Sequence, residues 1–157
     1  MNKLATVVLA AVAVLTLGPA ENAIGQSAAL KRRLAEATGL DCRFHTLATG
    51  NWDGGTPGAD VTATELEVAF SEVNADEGTA EAASQFGDSY IVVRYTGEYL
   101  HLMQSFRAGP LYVTTVLAKE TTEGRLMAVH TRHEYTPVKL VGFTSRPEMY
   151  VGDCAAE

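Results

Sequence analysis

The central part of the chain alternates apolar and polar residues in runs that are separated by turn-forming residues. Alternation with a period of two places neighbouring side chains on opposite faces of a strand. Thr96 and Gly97 lie between the first two runs, and a two-residue connection that contains glycine is typical of a hairpin. The pattern therefore predicts an antiparallel meander of four strands. These strands are predicted at residues 88–95, 98–106, 111–118 and 125–135.

The first predicted hairpin has two chemically different faces. If Thr96 and Gly97 form its loop, Val93 lies opposite Leu100, because turn length fixes strand register. One face is then an apolar core stripe, which consists of Ile91, Val93, Leu100 and Leu102. The other face mixes aromatic, polar and apolar side chains, which suit a ligand pocket, a partner surface or solvent. We expect the ligand-lining residues on this face to be Tyr90, Tyr99, His101 and Met103.

The fourth run leaves two registers open. If Ala118 lies opposite Arg125, the core face receives Leu126, Ala128, His130 and Arg132. A slip of one residue would instead place Met127, Val129, Thr131 and His133 there, because every side chain changes face. The first register makes His130 and Arg132 an alternative lining for a ligand. In either register, the second and third strands are apolar on both faces, so we expect the second face to be covered.

The flanking residues predict one helix and further strands. Residues 27–38 have Leu30, Leu34 and Ala37 at helical spacing, with Ser27 as a candidate N-cap and Gly39 as the stop. A Gly/Pro-rich loop is expected at 53–60, and strands are expected at 64–72, 79–84, 138–141 and 149–151. The predicted fold is therefore all-β: a small antiparallel up-and-down meander, closed fully or partly into a barrel, with a short N-terminal helix.

The N-terminus has the pattern of a secretory signal peptide. Lys3 is followed by an apolar run over residues 4–17 and then by small residues, with cleavage expected after Ala20 or Gly25. Residues 1–25 would be the signal, 26–41 a short helix and lead-in, and 42–157 a single β-rich domain. This organisation predicts a periplasmic or secreted protein that does not stay inserted in a membrane.

Cysteine content and charge agree with export. Cys42 and Cys154 are the two cysteines of the chain, and an even count in an exported protein predicts a disulfide. The formal net charge of −7 makes nucleic acid an improbable partner. We therefore expect a structural role for the two cysteines and no nucleic-acid partner.

The motif Gly50-Asn51-Trp52, placed in a first strand after a helix and before a meander, resembles the G-x-W signature of lipocalins and the wider calycin barrels. The resemblance implies a ligand-binding barrel in which Trp52 closes one end. It also implies that an arginine from a late strand crosses the tryptophan, and Arg132 and Arg146 are the candidates.

The cluster from His130 to Glu134 is the densest group of reactive side chains. His130 and His133 would point to opposite faces of a strand, so we predict no metal site there, and no cofactor. The sequence contains neither an H-E-x-x-H nor a G-x-S-x-G motif, and an enzyme is the less favoured interpretation. The predicted function is non-catalytic binding of a small, partly apolar molecule. The alternative is a protein interaction module or homodimer without such a ligand.

Overall fold

Eight antiparallel strands close into a barrel in this computed structural model, which describes residues 20–82, 89–107, 109–135 and 146–157. The side chains of residues 20–24, 89 and 90 lie outside the description. Each strand pairs with the next in sequence, and β1 also pairs with β8. This arrangement confirms the predicted all-β meander with a short N-terminal helix. The elements are α1 (Ala20–Ala35), β1 (Leu40–Asp53), β2 (Thr56–Asn74), β3 (Thr79–Ala82), β4 (Ser89–Tyr95), β5 (Tyr99–Ser105), β6 (Leu111–Glu120), β7 (Leu126–His133) and β8 (Glu148–Ala156).

The β4–β5 hairpin buries the predicted core stripe, but its turn lies one residue further along the chain. The amide of Thr96 donates to the carbonyl of Tyr99, so Gly97 and Glu98 form the two-residue turn. Gly97 adopts a φ of 84°, which glycine tolerates without strain. Val93 consequently pairs with Leu102, a shift of two residues from the predicted register that leaves every side chain on its predicted face. Ile91, Val93, Leu100 and Leu102 are all buried.

The β6–β7 pair selects the first of the two face assignments. Leu126, Ala128 and His130 are buried inside the barrel. The predicted pair of Ala118 with Arg125 is wrong, since Ala128 pairs with Val116 and the register then shifts before the end of β6. That irregularity accommodates two extra residues in β6 and keeps the apolar face of β7 inward.

The predicted loop at residues 53–60 is wrong. Gly54 and Gly55 both have positive φ and reverse the chain in two residues. The following residues belong to β2 and pair with β1 as far as the turn. Residues 46–53 and 56–65 therefore form a long hairpin, which we call the hairpin arm, and β8 pairs with its first strand only as far as Thr49. Within the described chain, β3 pairs with β2 only between Phe70 and Asn74, so the arm extends beyond β3.

Helix α1 closes one end of the barrel. It begins at Ala20, so Ser27 lies inside the helix and the predicted N-cap is wrong. Leu34 is fully buried in the barrel core. Lys31 pairs with Glu98 at 2.9 Å and Arg33 with Glu120 at 2.8 Å, which attaches the helix to the β4–β5 and β6–β7 ends. Tyr95, which comes just before the β4–β5 turn, donates from its hydroxyl to the carbonyl of Lys31 at 3.0 Å.

Strands β1 and β8 complete the ring, and a disulfide joins them. Cys42 and Cys154 are direct cross-strand partners, which confirms the predicted bridge across a separation of 112 residues. Further along the same pair, β1 bulges between Phe44 and Thr46. Gly152 faces this bulge, and a Cβ there would lie 2.6 Å from the Cα of Phe44. The close approach of two backbones therefore requires glycine at this position.

Two predicted segments fall outside the described residues. Residues 1–19 hold most of the predicted signal peptide, and residues 136–145 hold the strand predicted at 138–141. Among the described residues, no helix has the length and the apolar composition that crossing a bilayer demands.

Candidate functional site

A polar and aromatic cluster lies inside the barrel at the end opposite α1, and we call it the mouth cluster. Strand alternation brings its members together, because the even-numbered side chains of β6, β7 and β8 point inward. Tyr112 pairs with Arg132, and Arg132 with Glu148, across neighbouring strands. The mouth cluster consists of Tyr112, His130, Arg132, Glu134, Glu148 and Tyr150.

The guanidinium of Arg132 is at the centre of the mouth cluster. Its central carbon lies 5.1 Å from the ring centroid of Tyr112 and 5.2 Å from that of Tyr150. These distances allow a cation–π contact with each ring. Nε donates to Nε2 of His130 at 3.2 Å, and Nη1 lies 3.9 Å from a carboxylate oxygen of Glu148. Arg132 is thus held by a hydrogen bond to His130, a longer ion pair with Glu148 and contacts with two tyrosine rings.

His130 is neutral in this environment. Burial, reinforced by the positive charge of Arg132, lowers the pKa of the imidazole to about 3. Because Nε2 accepts the hydrogen bond from Arg132, the single proton of the neutral ring is on Nδ1. Nδ1 then donates to the hydroxyl oxygen of Thr114, 2.8 Å away. The protonation state of His130 follows from its two contacts.

Both tyrosine hydroxyls of the mouth cluster donate to carboxylates. Tyr112 donates to Glu134 at 2.7 Å and Tyr150 to Glu148 at 2.5 Å. Burial and then the hydrogen bond to Glu148 raise the pKa of Tyr150 to about 12. The same two causes, with Glu134 as the acceptor, raise the pKa of Tyr112. The two phenols therefore stay protonated, and the cluster contains one cation and two carboxylates.

Apolar side chains fill the barrel between the mouth cluster and α1. The ring of Phe44 lies 5.7 Å from that of His130 and 6.4 Å from that of Tyr150. The fully buried side chains below it are Leu34, Leu40, Leu100, Leu102, Val116 and Leu126. The polar part of the interior is consequently confined to the mouth.

The structure separates the two predicted sets of ligand residues. His130 and Arg132 point into the barrel, whereas Tyr99, His101 and Met103 lie on its outer surface. The rings of Tyr99 and His101 are stacked at 5.9 Å there, and His101 contacts the hydroxyl of Thr115 at 3.0 Å. The side chain of Tyr90 is outside the described part of the chain. The outer set therefore does not line the barrel interior.

Trp52 does not close the barrel. It is 51% exposed near the tip of the hairpin arm, with its ring 5.7 Å from that of Tyr135. Of the two candidate arginines, Arg132 contacts the mouth tyrosines, and Arg146 lines a shallow surface pocket beside Trp52. The core role expected for Trp52 is wrong because the arm carries it past the end of the barrel.

The sequence pattern did not predict Tyr112, Glu148 and Tyr150 as members of the site. Alternation alone puts Glu134 on the same face as His130 and Arg132. Tyr112 and Tyr150 become visible only when the inward faces of β6 and β8 are known. Those faces follow from barrel closure, which no local pattern reports.

His130 and His133 lie on opposite faces of β7, as predicted. In the described ranges of the chain, no three side chains of the His, Cys, Asp and Glu types converge in a way that could hold a metal ion. No family model, curated protein or solved structure matches the chain. The resemblance to calycin barrels therefore stays a prediction, and the chemistry of the site rests on its own geometry.

Proposed function

We propose that this protein is an exported, non-catalytic barrel that binds a small, partly apolar molecule at its mouth. The observation that carries the proposal is the placement of Arg132 between Tyr112 and Tyr150 at the polar end of an otherwise apolar interior. Small-molecule sites are mostly apolar and contain a few oriented polar groups. The mouth cluster has this composition.

Arg132 supplies the hydrogen bonds in the proposed site. A guanidinium has five N–H donors in one plane. One of them reaches His130, and Nη1 is near Glu148. Both tyrosine rings contact the group, and its remaining N–H donors would bind an acceptor on the ligand. The rings provide the apolar contact for the rest of the molecule.

The charges of the mouth cluster favour an uncharged ligand. Arg132 contributes one positive charge, while Glu134 and Glu148 contribute two negative charges. A carboxylate ligand would meet a net negative site, which costs energy at low dielectric. The proposed ligand is therefore a neutral molecule with a carbonyl or similar acceptor, such as a ketone, ester or amide.

The pKa values of the mouth cluster support a role without catalysis. A general acid or base works best when its pKa is near the working pH. The pKa of His130 is lowered to about 3, and that of Tyr150 is raised to about 12. Both groups keep one protonation state across the neutral range, which suits binding and does not suit proton transfer.

Export is part of the proposal. Lys3 and the apolar run that follows it give the N-terminus the pattern of a signal peptide. The Cys42–Cys154 disulfide is typical of oxidising compartments. The intact mass of the protein recovered from the periplasm or medium should correspond to a chain that begins at Glu21 or Gln26. Recovery of the uncleaved chain from the cytoplasm would contradict export.

A titration with a neutral fluorescent ketone, 6-propionyl-2-(dimethylamino)naphthalene, tests the site. We expect saturable binding with a blue shift of probe emission. Arg132→Met keeps an unbranched apolar side chain at this position and removes the N–H donors. It should weaken binding by about tenfold or more, since a hydrogen bond to a charged group contributes about 1.5–3 kcal/mol.

Arg43→Met is the matched control, because Arg43 is exposed on the outer surface and pairs with Glu67. Circular dichroism of both variants checks that the fold is retained. Equal affinity of the probe for Arg132→Met and Arg43→Met would place the probe elsewhere and refute the mouth site.

A second candidate function, protein interaction, is favoured by the outer surface of the barrel.

A further inference from the structure

Two rows of outward side chains, which run across five neighbouring strands, form an uncharged surface that we call the outer wall. Cross-strand pairing defines its two central rows, which run across β2, β1, β8, β7 and β6. One row consists of Val61, Ala48, Met149, Thr131 and Val113, and the other of Ala63, Thr46, Val151, Val129 and Thr115. All ten residues lack charge.

The hairpin arm extends the outer wall beyond the barrel. Val61 is 69% exposed and lies on the same side of the arm as Trp52, Pro57 and Ala59. The opposite side of the arm is polar, with Asn51 donating to the carboxylate of Asp60. The arm is therefore amphipathic, although neither side of its outer part is buried. Its apolar side is continuous with the outer wall.

Exposed apolar side chains are concentrated on this surface. Nine large ones are exposed in the described part of the chain, and six of them belong to the outer wall or its edge. Met149 and Val151, at its centre, are 44% and 45% exposed. The six residues are Trp52, Val61, Met127, Tyr135, Met149 and Val151. Such a concentration on one face is typical of an interaction surface, and aromatic residues and methionine are enriched at interfaces.

Charged residues border the outer wall toward the α1 end. Arg125 pairs with Asp153, and Arg43 lies 3.6 Å from Glu67. These ion pairs are satisfied within the molecule. A dry apolar centre with a polar rim is the usual arrangement of a protein interface.

We propose that the outer wall binds the outer wall of a second copy of this chain, forming a two-fold homodimer. A two-fold interface brings a surface against its own copy, so charges near the centre would meet like charges. The chain has a formal net charge of −7, and a surface without charge lets two copies associate without bringing like charges into contact. The outer wall meets this condition.

The size of the outer wall is adequate for a stable dimer. Five strands about 4.8 Å apart span about 24 Å, and the wall together with its border at Met127 extends about 27 Å along the chain to Tyr135. The projected area is roughly 650 Å², before the relief of the side chains is counted. A standard interface takes roughly 600–1,000 Å² from each partner, so this area is at the lower end of that range. The proposed dimer does not depend on the mouth cluster, which points into the barrel.

Sedimentation velocity of the mature protein with its disulfide intact tests the proposal. The wild-type protein should sediment as a dimer at about 10 µM, since interfaces of standard size have Kd values from micromolar to picomolar. Met149→Glu and Val61→Glu should each raise the Kd for self-association by about thirtyfold or more, because each buries an unpaired charge in the interface. Val61 is on the arm, so Val61→Glu remains informative if Met149→Glu does not fold.

Val92→Glu is the matched control. Val92 is also an exposed outward valine, but it lies on β4, which faces away from β8 across the ring. This variant should remain a dimer. Dilution of the wild type should shift the emission of the sole tryptophan, Trp52, to longer wavelength as the dimer separates. A monomeric wild type, or a dimer that Val92→Glu disrupts as strongly as Val61→Glu does, would refute the proposed interface and favour a different partner.

Discussion

Arg132 and His130 show how a buried charge is tolerated in a small barrel. Arg132 is placed between two aromatic rings and near Glu148, while its neighbour His130 gives up its own charge. A second cation in the same space would cost several kcal/mol at low dielectric. The hydrogen bond from Arg132 to His130 is compatible only with the neutral imidazole.

The lowered pKa of His130 makes stability depend on pH. The folded protein resists protonation down to a pKa of about 3, whereas the unfolded chain binds the proton near the ordinary value of 6.5. Stability is therefore full above pH 6.5 and is lost as the pH falls from 6.5 toward 3. Between about pH 7.5 and about pH 5, the free energy of unfolding should fall by about 2 kcal/mol through this group.

Urea unfolding of the wild type and of His130→Gln over that pH range measures the effect. Glutamine can still bond to Thr114 and does not titrate, so the variant should show a flatter dependence. Most carboxylates titrate below this window, which isolates the histidine. Parallel pH profiles for the two proteins would show that His130 is not kept neutral by the fold.

At the scale of elements, the β1–β2 hairpin departs most from the predicted layout. The composition of residues 53–60 is typical of a loop, yet Gly54 and Gly55 alone make the turn. The residues that follow the turn, 56–60, pair with β1 and therefore belong to β2. Bulges near Phe44 change which side chains face outward, so Leu47 packs against the core while Thr46 joins the outer wall.

The β1–β8 junction depends on the Cys42–Cys154 disulfide. The bridge closes a loop of 112 residues, and the chain-entropy model assigns it about 4–5 kcal/mol, although measured values are often smaller. Reduction should lower the melting temperature by about 10 °C or more at fixed protein concentration.

The Cys42→Ala/Cys154→Ala double variant is the control for this measurement. It should melt close to the reduced wild type and be insensitive to reductant. A wild type with the same melting temperature in both redox states would mean that hydrogen bonding between β1 and β8 suffices to hold the ring closed.

At the scale of the whole molecule, the barrel has one end filled by a helix and the other occupied by the mouth cluster. Helix α1 comes before β1, and its docking supplies Leu34 to the core. The ion pairs of Lys31 and Arg33 are partly exposed and contribute little by themselves. Burial of the apolar side of the helix is therefore the main force that holds it against the barrel.

Leu34→Ala tests the contribution of the helix. Leu34 is fully buried, so the substitution should reduce the free energy of unfolding by about 2–5 kcal/mol. Leu111→Ala, at an outward and exposed position of β6, should cost less than about 1 kcal/mol. Chemical denaturation of both variants provides the comparison. Similar losses would indicate that α1 is not docked in solution.

The predictions that were confirmed depended on the alternation of side chains along single strands. Ile91 and Val93 were assigned to the core from alternation, and a turn misplaced by one residue did not change that result. The mouth cluster was predicted only in part. His130 and Arg132 formed one of two alternative sets of ligand-lining residues, and their tyrosine partners were not predicted. The expectation that Trp52 closes the barrel was wrong, because a three-residue motif contains no information about the length of its hairpin.

The sequence by itself determined the strands of the central meander, their alternating faces and the pairing of the two cysteines, because each depends on residues a few positions apart or on a single possible pair. Only the tertiary structure decided which faces point inward, which end α1 closes and where Arg132 finds its two tyrosines. The physical reason is that closure of the ring and the bulges in β1 and β2 set the side-chain directions of strands far apart in sequence. Exclusion of water from the enclosed side then separates a mouth cluster from an outer wall, although the amino acids of the two surfaces alternate along the same strands.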